Sequence, residues 1–290
     1  MKEINLIDMH THSSYSDGEL NPDELIIKAK NEGISTIAIT DHDTILGIKN
    51  ITVDPNRIGI KIISGIELSA QVPVGSMHIL GYGIDVNNEA LNQKLKEIHN
   101  RNLYAIMAII CQLKKDYDIV FTTEEILEIL NLERNIGRPD IARLLIKYGY
   151  VSSVKEAFQK YLIEAYNCCG KITKGIPKEE CIKLIKNAGG LAVLAHPITL
   201  EKDPQELDLC IRELVEYGLD GIEVFHSEHS HKNIEEYICL ANKYNLLVSG
   251  GSDYHGENTK PDIELGRGKN NIKIKQLTLI DRINARNQKP

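Results

Sequence analysis

Ten histidines occur in 290 residues, and most of them stand close to carboxylates. His10 and His12 lie in "DMHTHSSYSDG", with Asp17 five residues after His12. His42 lies in "TDHD" and Glu67 in "GIELSA". His78 lies in "SMHILGYG", His196 in "LAHP" and His226 in "EVFHSEHS". Asp253 and His255 complete the set in "GGSDYHG". Imidazole and carboxylate groups suit zinc, manganese and iron. One catalytic zinc takes only three or four protein ligands. Seven histidines with several acids exceed that number, which suggests two or three metal ions. A blander reading competes for each residue, because a lone histidine after a strand is more often a hydrogen-bonded structural group. Joint placement has to decide.

Placement depends on the elements that carry these residues. Seven short runs are dense in apolar and β-branched side chains. They are Ile4–Met9, Ser35–Thr40, Lys61–Glu67, Met77–Tyr82, Leu191–Ala195, Gly221–Phe225 and Leu246–Ser249. Several are continuously apolar, the mark of strands covered on both faces in a parallel sheet. Helical patterns lie between many of them. The clearest begins at Asn21-Pro22-Asp23-Glu24, with Asn21 as N-cap and Pro22 at the first helical position. Gly33 stops that helix. Pro204 to Tyr217 and Lys232 to Tyr244 read similarly, and Gly218 closes the first of these. Repeated strand and helix predict an α/β architecture with right-handed crossovers.

In such folds the C-terminal strand ends face one way, and sites are built there. Nearly every candidate falls at such an end. His10 and His12 follow the first run and His42 the second; Glu67 ends the third. His78 starts the fourth, His196 and His226 end the fifth and sixth, and Asp253 and His255 follow the seventh. Residues i and i+2 of a strand point alike, so His10 and His12 aim together, as do Asp253 and His255. Seven of ten histidines at strand ends make a multinuclear site the expected reading.

Residues 88–170 break the rhythm. "LYAIMAIICQLKKDY", "TTEEILEIL" and "RPDIARLLIKYGY" have apolar residues at helical spacing, and no convincing strand interrupts them. Thr122 or Thr123 followed by Glu125 resembles a capping start. A parallel crossover needs only a dozen or more residues, so the block reads as an inserted helical subdomain. It divides the remainder into 1–87 and 171–290.

Apolar content is 42% and charged content 26%, as in ordinary soluble domains. A net charge of -7 argues against a long nucleic-acid surface, but leaves room for a short or mononucleotide substrate in a locally positive pocket. No run is long and apolar enough to span a bilayer, and the N-terminus lacks the pattern of a signal peptide. Six cysteines without a CxxC read as free thiols in a reducing cytoplasm. A cytoplasmic enzyme without a membrane partner is the expectation.

Taken in order, "DMHTHSSYSDG", "AITDHDT", "GIELSA", "MHILGYG", "LAHP", "IEVFHSEHS" and "GSDYHG" resemble the PHP superfamily, named for polymerase and histidinol phosphatase. They span nearly the whole chain apart from the helical block. The resemblance implies a distorted (β/α)7 TIM-like barrel and a trinuclear site of Mn2+, Fe2+ or Zn2+. It implies one ion on His10, His12, Glu67 and Asp253, and a second on Glu67, His78 and His196. A third would sit on Asp17, His42 and His255. Asp17 stands where some members carry histidine, and "SDG" is also a common turn. Gly18 is expected to let the loop turn back.

"IGRPDIARLL" resembles the signature of stand-alone phosphoesterases with an inserted helical domain. That branch implies hydrolysis of phosphomonoesters, such as the 3′-phosphate of nucleoside 3′,5′-bisphosphates, with short 5′-phosphorylated RNA as a further substrate. A metal-activated hydroxide is the expected nucleophile. Arg138 is the expected phosphate clamp, since guanidinium matches phosphate oxygens bidentately; its alternative is a cap or ion pair within the subdomain. Arg143, Arg267 and His229 are further substrate-contact candidates. His226 is placed to protonate the leaving oxygen or orient substrate. A structural role stands beside both histidine readings. Tyr15 or Tyr254 could stack on a base or pack beside the metals. Histidinol phosphatase and a non-catalytic metal-binding module are the alternative functions.

Overall fold

The computed structural model describes residues 6–169, 175–275 and 277–287. Seven strands form one sheet in chain order. They are β1 (Leu6–Asp8), β2 (Ile34–Ile39), β3 (Lys61–Ala70), β4 (Met77–Tyr82), β5 (Leu191–Leu194), β6 (Gly221–Phe225) and β7 (Leu247–Gly250). Ile4 and Asn5, expected in the first strand, lie outside the described residues, as do Gly170 and Lys171 at the expected end of the helical block. Beyond the strand ends, the Met9 N–H donates to the Gly250 carbonyl (3.2 Å), and Thr11 bridges Tyr254. The first and last strands therefore meet, and the sheet curls into a distorted barrel.

β1–β2, β2–β3, β5–β6 and β6–β7 pair in parallel. The sheet departs from the parallel pattern expected from the sequence at β4, which runs antiparallel to both β3 and β5. Only residues 71–76 connect β3 to β4. That is too short for a parallel crossover, so the chain turns back as a hairpin. The reversal matters for the site. Ser69 pairs with His78, which puts the start of β4 beside the end of β3. His78 thus reaches the same rim as residues that leave the C-terminal ends of the parallel strands.

Helices α1 (Pro22–Asn31), α2 (Leu46–Lys49) and α3 (Pro55–Ile58) accompany the first strands. Asn21 accepts the Glu24 N–H at 3.0 Å, and the Glu24 carboxylate accepts the Asn21 N–H at 2.9 Å. This capping box satisfies two otherwise orphaned donors. Leu25, Ile26 and Ala29 of α1 are fully buried against Ile34, Ile37 and Ile39 of β2. Each large aliphatic side chain buried there stabilises the fold by about 1.5–3 kcal/mol. Ile7, Ala38, Ile63, Leu80 and Val193, from five consecutive strands, share another buried cluster.

Between β4 and β5 lie α4 (Glu89–Tyr117), α5 (Thr123–Leu130), α6 (Arg138–Lys147), α7 (Val154–Ala157), a π-helical turn (Phe158–Leu162), α8 (Ile163–Cys168) and α9 (Lys178–Asn187). Thr122 caps α5 in a second capping box with Glu125. Ile106, Ile109, Leu113, Ile141, Leu145 and Leu162 build a separate apolar cluster within this block. The earlier half of α4 behaves differently: Leu91, Leu95 and Ile98 join the barrel's own cluster. Helices α10 (Pro204–Glu216), α11 (His231–Lys243) and α12 (Thr278–Asn287) complete the chain's helical cover.

Candidate metal centre

Glu67 is the hub. It sits inside β3, which runs three residues past the expected strand end because β4 pairs with it as far as Ala70. Its carboxylate is fully buried. Oε1 meets His78 Nδ1 at 2.8 Å and His196 Nε2 at 2.9 Å. Oε2 lies 3.3 Å from His10 Nε2, 3.2 Å from His12 Nε2 and 3.0 Å from His42 Nδ1. Five histidines from four strand ends thus converge on one carboxylate.

Asp253 and Asp17 hold the flanks. Asp253 Oδ1 is 3.1 Å from His12 Nε2 and 3.5 Å from His10 Nε2. Asp17 Oδ1 is 3.3 Å from His255 Nε2, and its Oδ2 is 3.9 Å from His42 Nε2. Donor atoms of His12, Asp17, His42 and His255 lie within 4.8 Å of one another, as do those of His10, His12 and Glu67, and of His42, Glu67 and His78.

The loops are built to hold this arrangement. Asp41 accepts from the Ser13 N–H (2.7 Å), Ser13 Oγ (2.6 Å) and Ser16 Oγ (2.7 Å), tying the loop after β1 to the loop after β2. Asp8 does the same for the loop after β7, accepting the Ser252 N–H (2.9 Å) and Oγ (2.6 Å). Gly18 serves close approach: a Cβ there would lie 2.2 Å from the His12 carbonyl oxygen, while its φ is not among the positive values. Asp43, His196 and Asp253 hold positive φ of 50°, 21° and 58°. Such non-glycine strain persists where surrounding contacts over-determine it.

Second partners set the tautomers. His10 Nδ1 faces Glu223 Oε1 at 3.1 Å, leaving Nε2 toward the centre. His196 Nδ1 faces Thr199 Oγ1 at 3.0 Å, and the Thr199 hydroxyl donates to backbone carbonyls, so Nδ1 carries the proton. His255 Nδ1 donates to the Asp253 carbonyl at 2.8 Å. This is the usual orientation of ligating imidazoles. His226 is the reverse. Its Nδ1 accepts the Glu228 N–H at 3.1 Å, so the neutral ring carries its proton on Nε2, 3.6 Å from Asp253 Oδ2.

Charge follows geometry. Burial alone would raise the Glu67 carboxyl, but His42, His10 and His78 hold it well below the usual carboxylate range. Burial opposes charge on His42, while Glu67 and Asp17 drive it up to about 10. Burial likewise opposes His10, and Glu223, Glu67 and Asp253 hold it well above the ordinary histidine value. These acids and imidazoles compensate one another only in part. His10 Nε2, His12 Nε2, Asp17 Oδ1, His42 Nδ1 and Glu67 Oε2 are buried without a hydrogen bond. Buried polar atoms normally find partners. A convergent set of imidazole lone pairs and carboxylate oxygens fits divalent transition metals.

Two cavities open from the cluster. One, about 670 Å³, is lined by Asp17, His42 and His78 and by Arg101, Arg138 and Tyr166 of the helical block. Arg138 lies over aromatic rings, its Cζ 4.2 Å from the Tyr166 centroid and 5.0 Å from that of Phe158. It forms no ion pair among the described residues. The other cavity, about 1030 Å³, is lined by His226, Asp253 and His255 and by Lys260, Arg267 and Lys269.

The remaining candidates separate. Arg143 is bound to Asp140 Oδ1 (2.9 Å) and the Asp17 carbonyl (3.3 Å), so it fastens the helical block to the loop after β1. Arg267 borders the second cavity, its Nη1 buried without a hydrogen bond. His229 is fully buried behind His226, its Nδ1 donating to the Val224 carbonyl at 2.9 Å. Burial and the neighbouring His226 push it down to about 3, so it stays neutral. Tyr254 is buried, and Tyr15 hands its carbonyl to the Asn135 N–H at 2.9 Å. Sequence reasoning missed Asp8, Asp41, Glu223 and Lys260. The first three carried a signal: a carboxylate inside or beside an apolar strand run, as in "LIDMH" and "GIEVF".

Residues 8–190 match the family described as PHP domain. The chain belongs to that family. It is 30% identical over 256 residues to a phosphoribosyl 1,2-cyclic phosphate 1,2-diphosphodiesterase of Eggerthella lenta, covering 86% of this chain and 94% of the relative. It is 30% identical over 250 residues to a 3′,5′-nucleoside bisphosphate phosphatase of Chromobacterium violaceum, covering 86% and 87%. It is 31% identical over 269 residues to the 5′-3′ exoribonuclease Rnm of Salmonella typhimurium, covering 90% and 88%. A solved structure from Bifidobacterium adolescentis, described as a metal-dependent phosphoesterase, superposes with a TM-score of 0.80 at 29% identity, covering 97% and 96%. The chain is a PHP metal-dependent phosphoesterase, a hydrolase. Among the described residues no helix is long and apolar enough to cross a membrane.

Proposed function

We propose that this phosphoesterase removes the 3′-phosphate of nucleoside 3′,5′-bisphosphates, with short 5′-phosphorylated RNA as a second substrate. The observation that carries the reading is Arg138. It is a cation without an acidic partner among the described residues, held against Phe158 and Tyr166 in a cavity that also touches Asp17, His42 and His78. A guanidinium so placed suits a second phosphate beyond the reacting one. The aromatic rings beside it suit a base.

We infer three ions held by this chain. His10, His12, Glu67 and Asp253 would hold one, Glu67, His78 and His196 a second, and Asp17, His42 and His255 a third. The short donor separations around Glu67 support this division. Bound divalent metals would neutralise phosphate charge and acidify water. The chain's own residues do the rest. Glu223 and Thr199 fix the rings of His10 and His196. His226 presents an Nε2–H donor, suited to orienting a phosphate oxygen by a hydrogen bond. Arg138 anchors the remote phosphate, and the aromatic wall keeps it oriented.

The test is phosphate release by manganese-loaded protein across adenosine 3′,5′-bisphosphate, 5′-AMP, histidinol phosphate and a short 5′-phosphorylated RNA. The bisphosphate should be preferred. Preference for histidinol phosphate would overturn the substrate. Bound metal with no release from any of them would favour a non-catalytic metal-binding module.

A further inference from the structure

Lys260 lies outside every motif of the site, yet it touches the cluster directly. Its Nζ meets Asp253 Oδ2 at 2.6 Å. The other oxygen, Oδ1, faces His12 Nε2 at 3.1 Å and His10 Nε2 at 3.5 Å. Oδ1 therefore serves the histidine pair, while Oδ2 is held by the ammonium, with His226 Nε2 farther off at 3.6 Å. A carboxylate bound this way can offer one oxygen to a cation but not both.

The lysine is not a wandering surface side chain. Its N–H donates to the Gly256 carbonyl at 2.9 Å, and its carbonyl accepts the Ile263 N–H at 3.1 Å. Thr259 Oγ1 and Asn258 Nδ2 are both fastened to Glu19, at 2.8 and 3.0 Å. The turn is thus pinned next to the loop that carries Asp17. Lys260 also lines the larger cavity together with His226, Asp253 and His255.

We propose that Lys260 is a positioning residue that keeps Asp253 monodentate toward the ion held by His10 and His12. This rests on the bisphosphate phosphatase function proposed above. A carboxylate that closes both oxygens on an ion uses a coordination position that water or substrate needs; open positions distinguish catalytic from structural sites. Lys260 prevents that closure while its charge faces the cavity. Its removal leaves Oδ2 with only the longer His226 contact and deletes a nearby positive charge, so the ion is held at least as tightly while turnover falls.

The experiment pairs Lys260→Met with Lys260→Arg in the full chain. Manganese affinity and stoichiometry are measured by calorimetry and elemental analysis, folding by thermal melting, and kcat and KM on adenosine 3′,5′-bisphosphate. Lys260→Met should bind manganese with unchanged or higher affinity and lose kcat by about 10–100-fold, the usual effect of removing an outer partner of a ligand. Lys260→Arg should recover part of that kcat, because it restores a cation on Oδ2. Parallel loss of metal and activity in Lys260→Met would overturn the proposal and make the lysine a plain structural tie. Full kcat in Lys260→Met would overturn it as well. If the unmodified protein binds manganese but leaves the bisphosphate intact, the proposed substrate fails instead. The affinity comparison still decides the monodentate claim: weaker binding by Lys260→Met contradicts it.

Discussion

His226 turns its Nε2 toward Asp253 Oδ2 at 3.6 Å while its Nδ1 accepts the Glu228 N–H. That polarity separates it from His10, His196 and His255, whose Nδ1 atoms donate and whose Nε2 atoms face the cluster. A neutral ring with its proton on Nε2 is a donor and not a ligand. His226→Ala should keep the metal content of the unmodified protein and lower kcat by about 10–100-fold, the effect of losing one hydrogen bond to a charged phosphate oxygen. Metal analysis beside steady-state kinetics checks this. Loss of metal in that variant would make His226 a ligand.

Arg138 should act on one part of the substrate only. Arg138→Ala removes a charged hydrogen-bond donor worth about 1.5–3 kcal/mol. The expected result is a rise in KM of about 10–100-fold for adenosine 3′,5′-bisphosphate, with little change for p-nitrophenyl phosphate, which has no second phosphate. Equal loss on both compounds would place Arg138 at the reacting phosphate or in the fold.

The histidines predict a pH window. In the metal-free protein His42 is driven up to about 10, against an ordinary value of 6.5, burial being outweighed by Glu67 and Asp17. A raised histidine contributes stability fully present below its unfolded value, and that contribution is lost as pH rises through the folded value. Metal-free protein should therefore melt at lower temperature as pH climbs from about 7 to about 10. Metal requires neutral imidazole, so loading at neutral pH should release protons, visible as acidification of a weak buffer. The loaded protein should hold its Tm across the same window. Identical pH slopes with and without metal would contradict the account.

Gly251 tests the fit of the loop after β7. A Cβ there would lie 2.3 Å from both the Cβ and the N of His10. Gly251→Ala should destabilise by about 1–3 kcal/mol, as overpacking does, and weaken metal binding by displacing His10. Calorimetry with and without metal would show it. An unchanged Tm with full metal content would mean the two loops can part freely.

Much of this was legible in the sequence. The expected strands Met77–Tyr82 and Gly221–Phe225 coincide with β4 and β6 in both bounds. Apolar density marks a buried strand whichever way it runs, which is why the direction of β4 was not legible. Only the length of the 71–76 connection held that information. The histidines could be placed because strand ends on one rim must converge. Their partners could not. His10 and Glu223 are 213 residues apart, and nothing local announces that one carboxylate orients the other. Lys260 is hidden for the same reason: its role depends on a turn that folds it onto Asp253. Arg143 and His229 show a related limit: residue type suggested substrate contact, while their bonds to Asp140, Asp17 and Val224 depend on packing that no local pattern announces.

The central claim is tested most directly by which phosphate is lost. Phosphorus NMR of adenosine 3′,5′-bisphosphate with manganese-loaded protein, read after removal of the metal, should show inorganic phosphate and 5′-AMP appearing together. Accumulation of 3′-AMP, or intact bisphosphate in the presence of fully loaded protein, would contradict the account.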